Sequence, residues 1–238
     1  MAARLVARHN MSTPAPNYLA ATRFVDHEAP EIRAFNARAL AHTDTSDARQ
    51  TTIALFNAVR DQLRYDPYRF LPDAETFTAS HIVQQPSGFC VPKAVLLAAC
   101  LRAAGIPAAL GFADVKNHLN SPKLAALMQT DTFIYHGYVQ VWLGEQTFKI
   151  TPAFDSAMCE RFGVKPLVFD GTADALFHEF DQQSRRHMEY VHDRGLFEDL
   201  PFEDMMRDFR ALYPKLIAMS LERKARQGSA DPAFRPDE

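Results

Sequence analysis

One stretch constrains the chain more than any other: residues 87–107, SGFCVPKAVLLAACLRAAGIP. Proline is tolerated in the first turn of a helix, where its missing N–H is not needed, so Pro92 sets a helix start at about Val91. Gly105 supplies the stop, and Pro107 prevents continuation. Between them Val95, Leu96, Ala99, Leu101 and Ala103 leave little polar surface. A helix apolar on all sides belongs at the centre of a fold, with everything else wrapped around it. Cys90 stands at or just before its N-cap, whereas Cys100 lies inside the apolar run.

The chain has the material to wrap such a helix. Its 238 residues are 47% hydrophobic and 23% charged, enough for one large domain with a real core. A formal net charge of -3 leaves no basic footprint, so neither nucleic acid nor an anionic membrane is an expected partner. No apolar run is long enough to span a bilayer. The start, MAARLVARHNMSTPAP, lacks an apolar region of signal-peptide length, so secretion is not expected. Three cysteines without disulfide spacing suit reduced thiols and a cytoplasmic location. Ten residues of helix separate Cys90 from Cys100 by about 15 Å, beyond bridging reach. Cys100 and Cys159 read as core packing.

Periodicity places the remaining elements. Residues 1–26 read as an extended arm, followed by a helix near 30–42 and a stronger one over 47–65. In the latter Ile53, Phe56, Val59 and Leu63 recur at helical spacing before Asp66-Pro67 ends it. A short helix or turn near 79–84 precedes the central helix. Residues 108–115 read as a strand, 116–131 as an irregular insertion, and 132–143 and 146–150 as two alternating strands. Beyond 156 the chain reads as helical: a short helix ending near Gly163, then helices near 183–194 and 202–225. Residues 227–238 form a polar, disordered tail. The class is α+β: one domain over 27–200 with its core at 48–155, a helix at 201–226 packed on it, and helices around a small antiparallel sheet.

The placement of Cys90 has chemical consequences. Unpaired N–H groups and the positive end of the helix dipole favour thiolate, and the same N–H groups can hold an oxyanion. Gly88 leaves room for a substrate backbone to approach. A thiol nucleophile wants a base, and His136 lies in the best strand of the chain. Alternation puts His136, Tyr138, Gln140 and Trp142 on one face, and Gly137 leaves space for close packing on the other. Gly144-Glu145 suits a two-residue turn, which pairs Leu143 with Gln146 and sets position 136 opposite 153. Thr151 and Asp155 then flank the imidazole, and either is a candidate to orient it; Asp155 or Ser156 also suits the N-cap of the next helix.

Together these pieces resemble the transglutaminase-like superfamily of papain-type cysteine enzymes. Gly88-Phe89-Cys90 and Arg102-Ala103-Ala104-Gly105-Ile106-Pro107 match that family's Gly-x-Cys opening and its Arg-Ala-x-Gly-Ile-Pro close. LFNAVRDQLRYDP upstream and the strand from His136 to Trp142 are similar to its flanking elements, so the likeness covers roughly 48–155. RRHMEYVHDRG is similar to material in an uncharacterised bacterial branch. The resemblance implies a Cys-bearing central helix on a small antiparallel sheet, with extra C-terminal helices. It implies a thiol that attacks an amide or peptide carbonyl, with His136 as base and hydrolysis or transamidation as outcome. Gln84 or Gln85 would complete the oxyanion hole. The substrate would be a peptide or protein; no cofactor or metal is expected, since no acidic calcium loop is present. Where the family carries Asp-Pro-Thr, this chain has Thr151-Pro152-Ala153. That departure supports a rival expectation, a weak or inactive module that binds a peptide in the same groove. An arylamine N-acetyltransferase fits the Gly-Ile-Pro helix less well.

Overall fold

The computed structural model describes residues 16–117, 121–176 and 188–228. After a turn of 3-10 helix come α1 (Pro30–Ala39) and α2 (Ala48–Gln62). Asp47 caps α2 by accepting from the N–H groups of Arg49 and Gln50. β1 (Arg64–Tyr65), α3 (Ala79–Ile82) and β2 (Ser87–Gly88) lead into α4 (Cys90–Ala103). Then follow β3 (Ala108–Asn117), α5 (Pro122–Met128), β4 (Thr132–Leu143), β5 (Gln146–Ile150) and α6 (Ser156–Phe162). β6 (Met188–Phe197), α7 (Phe202–Leu212) and α8 (Pro214–Gly228) close the chain.

The fold is α+β, as the alternating strands between helices imply. An antiparallel sheet runs in the order β5-β4-β3-β6, and β1 pairs with β2 in a separate parallel ribbon. α4 packs on β4 and β3 from one side while α1, α2 and α3 cover its other flanks. Every residue from Val91 to Arg102 is buried. Two of these are cationic, and both heads are satisfied inside the fold by bonding backbone carbonyls. Lys93 Nζ donates to the carbonyls of Arg60 (2.8 Å) and Leu63 at the end of α2. Arg102 donates to the carbonyls of Ala108 (2.9 Å), Ala20 (2.8 Å) and Glu198 (2.7 Å). The Arg of the Arg-Ala-x-Gly-Ile-Pro run is thus a clamp that joins the start of β3 to two remote segments.

The hairpin of β4 and β5 has the expected register, Leu143↔Gln146, with Gly144 at φ 63 in its turn. Regular pairing ends at Val139↔Ile150, so position 136 has no strand partner at 153. Upstream, β4 carries a bulge. Ala113 pairs with His136 and Val115 with Phe133, so Ile134 and Tyr135 together face the single residue Asp114.

Four expectations need correction. Residues 188–197 form β6 rather than a helix; the strand lies at the sheet edge, is bulged twice and is exposed over 190–193, so its side chains carry no period of two. The rest of the expected helix, 183–187, lies outside the described residues. The single helix expected over 202–225 breaks into α7 and α8, because Pro214 can begin a helix but not continue one. The insertion at 116–131 contains α5, whose N-cap Ser121 accepts from the Leu124 N–H and whose first residue is Pro122. Finally, the last part of the expected arm is core: Phe24 and Val25 are buried, Tyr18 stacks on Trp142, and the Phe24 N–H bonds Asp199. The tail at 229–238 lies outside the described residues. Among the described residues, no helix is long and apolar enough to cross a membrane.

Candidate active site

α4 begins at Cys90, with Phe89 as an N-cap that offers no side-chain acceptor. The first-turn N–H groups therefore stay available, and those of Cys90 and Val91, with the N–H of Gly137, act on the Cys90 sulfur to lower its pKa. The strand residue after His136 lies close against the first turn of α4, and this depends on glycine: a Cβ at 137 would sit 3.1 Å from the Ala94 Cβ, 3.1 Å from the Cys90 carbonyl oxygen and 3.2 Å from the Val91 Cα. Two of those three atoms are backbone and cannot swing away.

Burial pushes the Cys90 thiol up to about 11, against the three N–H bonds that pull it down. At this helix mouth the upward push of burial is the larger of the two effects, so the helix terminus alone does not favour thiolate. Cys100 is pushed up further still by burial alone, and Cys159 to about 11, chiefly by burial. All three cysteines are unbridged.

Cys90 and His136 open into one cavity of about 480 Å³. Its walls are mainly apolar, with Tyr65, Phe133, Phe154 and Met158 among them, and Arg161 and Lys123 also line it. This size suits a side chain or small acyl group. Tyr65 stands edge-on to Phe154 at 4.7 Å between ring centroids, and its hydroxyl is held protonated, first by burial and then by the neighbouring Cys90 and Asp66. Among the described residues, no three His, Cys, Asp or Glu side chains cluster as a metal site requires.

The two candidate orienters of His136 have other occupations. The Thr151 hydroxyl donates to the Gly137 carbonyl at 2.7 Å, and so steadies the strand beside the histidine. Asp155 caps α6: one oxygen accepts from the Met158 N–H at 2.8 Å, the other from the Tyr65 N–H at 2.7 Å. Neither bond involves the imidazole. Gln84 and Gln85 line no part of the cavity; Gln84 donates back to Ser80, and Gln85 accepts from Arg69. Gly88 is paired in β2, and a Cβ there would meet Pro92 at 3.3 Å and Leu63 at 3.5 Å. Its missing side chain makes room for the chain's own packing.

Comparison with known proteins finds a family match, and it includes this site. The model of the transglutaminase-like superfamily matches residues 34–151, a segment that holds α2, α4, the hairpin, Cys90 and His136. The chain carries a transglutaminase-like domain. Beyond the matched segment lie α6 to α8 and β6, which complete the sheet edge and the core around that domain. No curated protein sequence matches the chain. Among solved structures, the "Putative Cysteine Protease from Cytophaga hutchinsonii" is similar at 13% identity and a TM-score of 0.41. The alignment covers 76% of this chain and 53% of that one, so this chain spans about half the neighbour's length.

Sequence reasoning placed Cys90 and His136 together but gave no place in the cavity to Tyr65, Phe154, Met158 and Arg161. These come from two separate segments, at 65 and 154–161, and nothing in either marks a cavity wall. Only the end of α2 and the start of α6, both legible as helix boundaries, hint that the two segments meet.

Proposed function

We propose that the protein is a cysteine-nucleophile enzyme that hydrolyses or transfers an amide or peptide acyl group through a thioester. The observation that carries this reading is the shared cavity of Cys90 and His136, with the residue after the histidine, Gly137, packed against the backbone of Cys90 and Val91. As the sulfur attacks the carbonyl carbon, His136 takes the thiol proton; a thiol at about 11 makes this concerted assistance the relevant mode. The Cys90 and Val91 N–H groups and the protonated Tyr65 hydroxyl are the donors available to the oxyanion. Collapse breaks the C–N bond while His136 returns the proton to the leaving amine. Water or an acceptor amine then attacks the thioester, His136 takes its proton, and the sulfur leaves and is reprotonated. The substrate is a peptide or protein, and a reducing, cytoplasmic setting suits the three free thiols.

A second reading has its own support. Where the family pattern has aspartate, Thr151 donates its hydroxyl to the Gly137 carbonyl, and this departure favours a module that binds a peptide without turnover. A p-nitrophenyl ester of a small apolar acid separates the two. The enzyme reading expects a burst of nitrophenol equal to the enzyme concentration and an acyl adduct on Cys90 by mass spectrometry, both lost in Cys90→Ala. Absence of burst and adduct in folded protein contradicts it.

A further inference from the structure

Tyr135 is a buried aromatic residue in the middle of a strand, yet its φ is 56, in the left-handed region that bulky residues avoid. It directly precedes His136. Strain of this kind persists only where surroundings over-determine it, and here they do. The bulge removes the N–H groups of Ile134 and Tyr135 from the strand ladder, and side chains take both. The Ile134 N–H donates to the Tyr213 hydroxyl at 2.7 Å, and that hydroxyl donates onward to the Thr132 carbonyl at 2.9 Å. The Tyr135 N–H donates to Asp114 at 3.1 Å. Asp114 is in turn paired with Arg194 at 2.6 Å, and Arg194 also reaches Asp208 at 3.0 Å. The Arg194 guanidinium lies 4.0 Å from the Tyr135 ring centre, and the Tyr135 hydroxyl donates to Asp208 at 3.2 Å.

Arg194 occupies a second bulge. On β6, Gly195 pairs with Phe112 and Asp193 with Ala113, so Arg194 is the extra residue, aimed at Asp114 from the far side. Two bulges thus meet across one aspartate. The consequence for the cavity is a matter of parity. Phe133 and His136 are three apart and would face opposite ways on a regular strand. The extra residue brings both into the wall of the same cavity.

We infer that the Ile134–Tyr135 bulge, clamped by Tyr213 on one side and by Asp114, Arg194 and Asp208 on the other, is the device that aims His136 into the cavity. These are positioning residues: each acts on the imidazole through the backbone of β4. The inference rests on the reading of His136 as the base, but its geometry is measurable independently. In protein labelled with 15N-histidine, the ring signals of His136 are identified by their loss in His136→Ala. Tyr135→Gly removes the whole side chain but tolerates positive φ, and should leave those signals near their wild-type positions. Tyr135→Val, which disfavours positive φ, should move them, as should Tyr213→Phe and Arg194→Met. Tyr213→Phe deletes a single oxygen and is the variant that keeps the fold if the others do not. Unmoved signals in folded Tyr135→Val and Tyr213→Phe would overturn the inference. So would equal displacement in Tyr135→Gly, because packing rather than backbone would then set the ring. Failure of the base assignment shows separately, as unchanged Cys90 alkylation in His136→Ala.

Discussion

Thr151 stands where the family pattern has aspartate, and its hydroxyl is a donor to the Gly137 carbonyl, a role that a carboxylate cannot fill. Thr151→Ser should therefore be mild. Thr151→Val leaves a buried carbonyl without its partner and should cost about 1–3 kcal/mol in urea unfolding. Thr151→Asp should destabilise rather than sharpen the site, because its negative charge would face the same carbonyl. At this scale the sequence was legible where one residue type has one structural meaning. Pro92 marked the helix start to within a residue, and Asp155 took the N-cap role that its neighbours suggested. The thiol pKa was not legible, because enclosure depends on what covers Cys90, and those residues come from α5, α6 and the loop after β1. Nor was the left-handed Tyr135, since nothing in TFIYHGYVQVWL interrupts the alternation on paper.

Between elements, the α4–β4 contact is the closest approach that matters to the site. Gly137→Ala forces Cβ against the backbone of Cys90 and Val91, so α4 must retreat from the strand that carries His136. A loss of about 1–3 kcal/mol in stability is expected, together with slower reaction of Cys90 with acylating esters. The α2–α4 contact predicts a pH dependence. Burial lowers Lys93 to about 7, from about 10.5 when exposed, although nearby Asp155 and Asp61 oppose the shift. Between those values the unfolded chain binds more protons than the folded one, so the contribution of Lys93 to stability rises with pH through that window. Cys90 and Cys159 act in the opposite sense, since unfolded thiols ionise near 9 while the folded ones hold their protons to about 11. Cys100, raised by burial as well, adds a third thiol in that sense, so stability should climb from pH 7 to between about 8 and 9 and then fall. Chemical denaturation across pH should show the climb in wild type and its absence in Lys93→Met; equal slopes would contradict the assignment. The β4–β5 hairpin was readable end to end because Gly144 and strict alternation specify register. The β6 edge was not, because two bulges and solvent exposure erase the period.

For the whole molecule, Arg102 and the first residues of the described chain show how the core is closed. Arg102 binds the Ala20 carbonyl, Phe24 and Val25 enter the core, and Tyr18 stacks on Trp142. Removal of residues 1–26 should thus cost several kcal/mol, since burying a Phe and a Val is worth about 1.5–3 kcal/mol each. A thermal melt of the truncated protein should show a clear fall in Tm; an unchanged Tm would mean that the segment does not pack. The central helix and its surrounding sheet followed from the sequence because α4 is apolar all round and could sit nowhere else. The completion of the core by Phe24, Met205, Met206 and Phe209 did not, because contacts between chain ends leave no local pattern.

The central claim is that His136 serves the Cys90 thiol, and the rate of Cys90 alkylation by iodoacetamide against pH tests it most directly. In wild type a first rise, assisted by His136, is expected at lower pH, ahead of a second rise toward about 11. In His136→Ala only the second should remain. Identical profiles in the two proteins, with one rise toward about 11, would contradict the account.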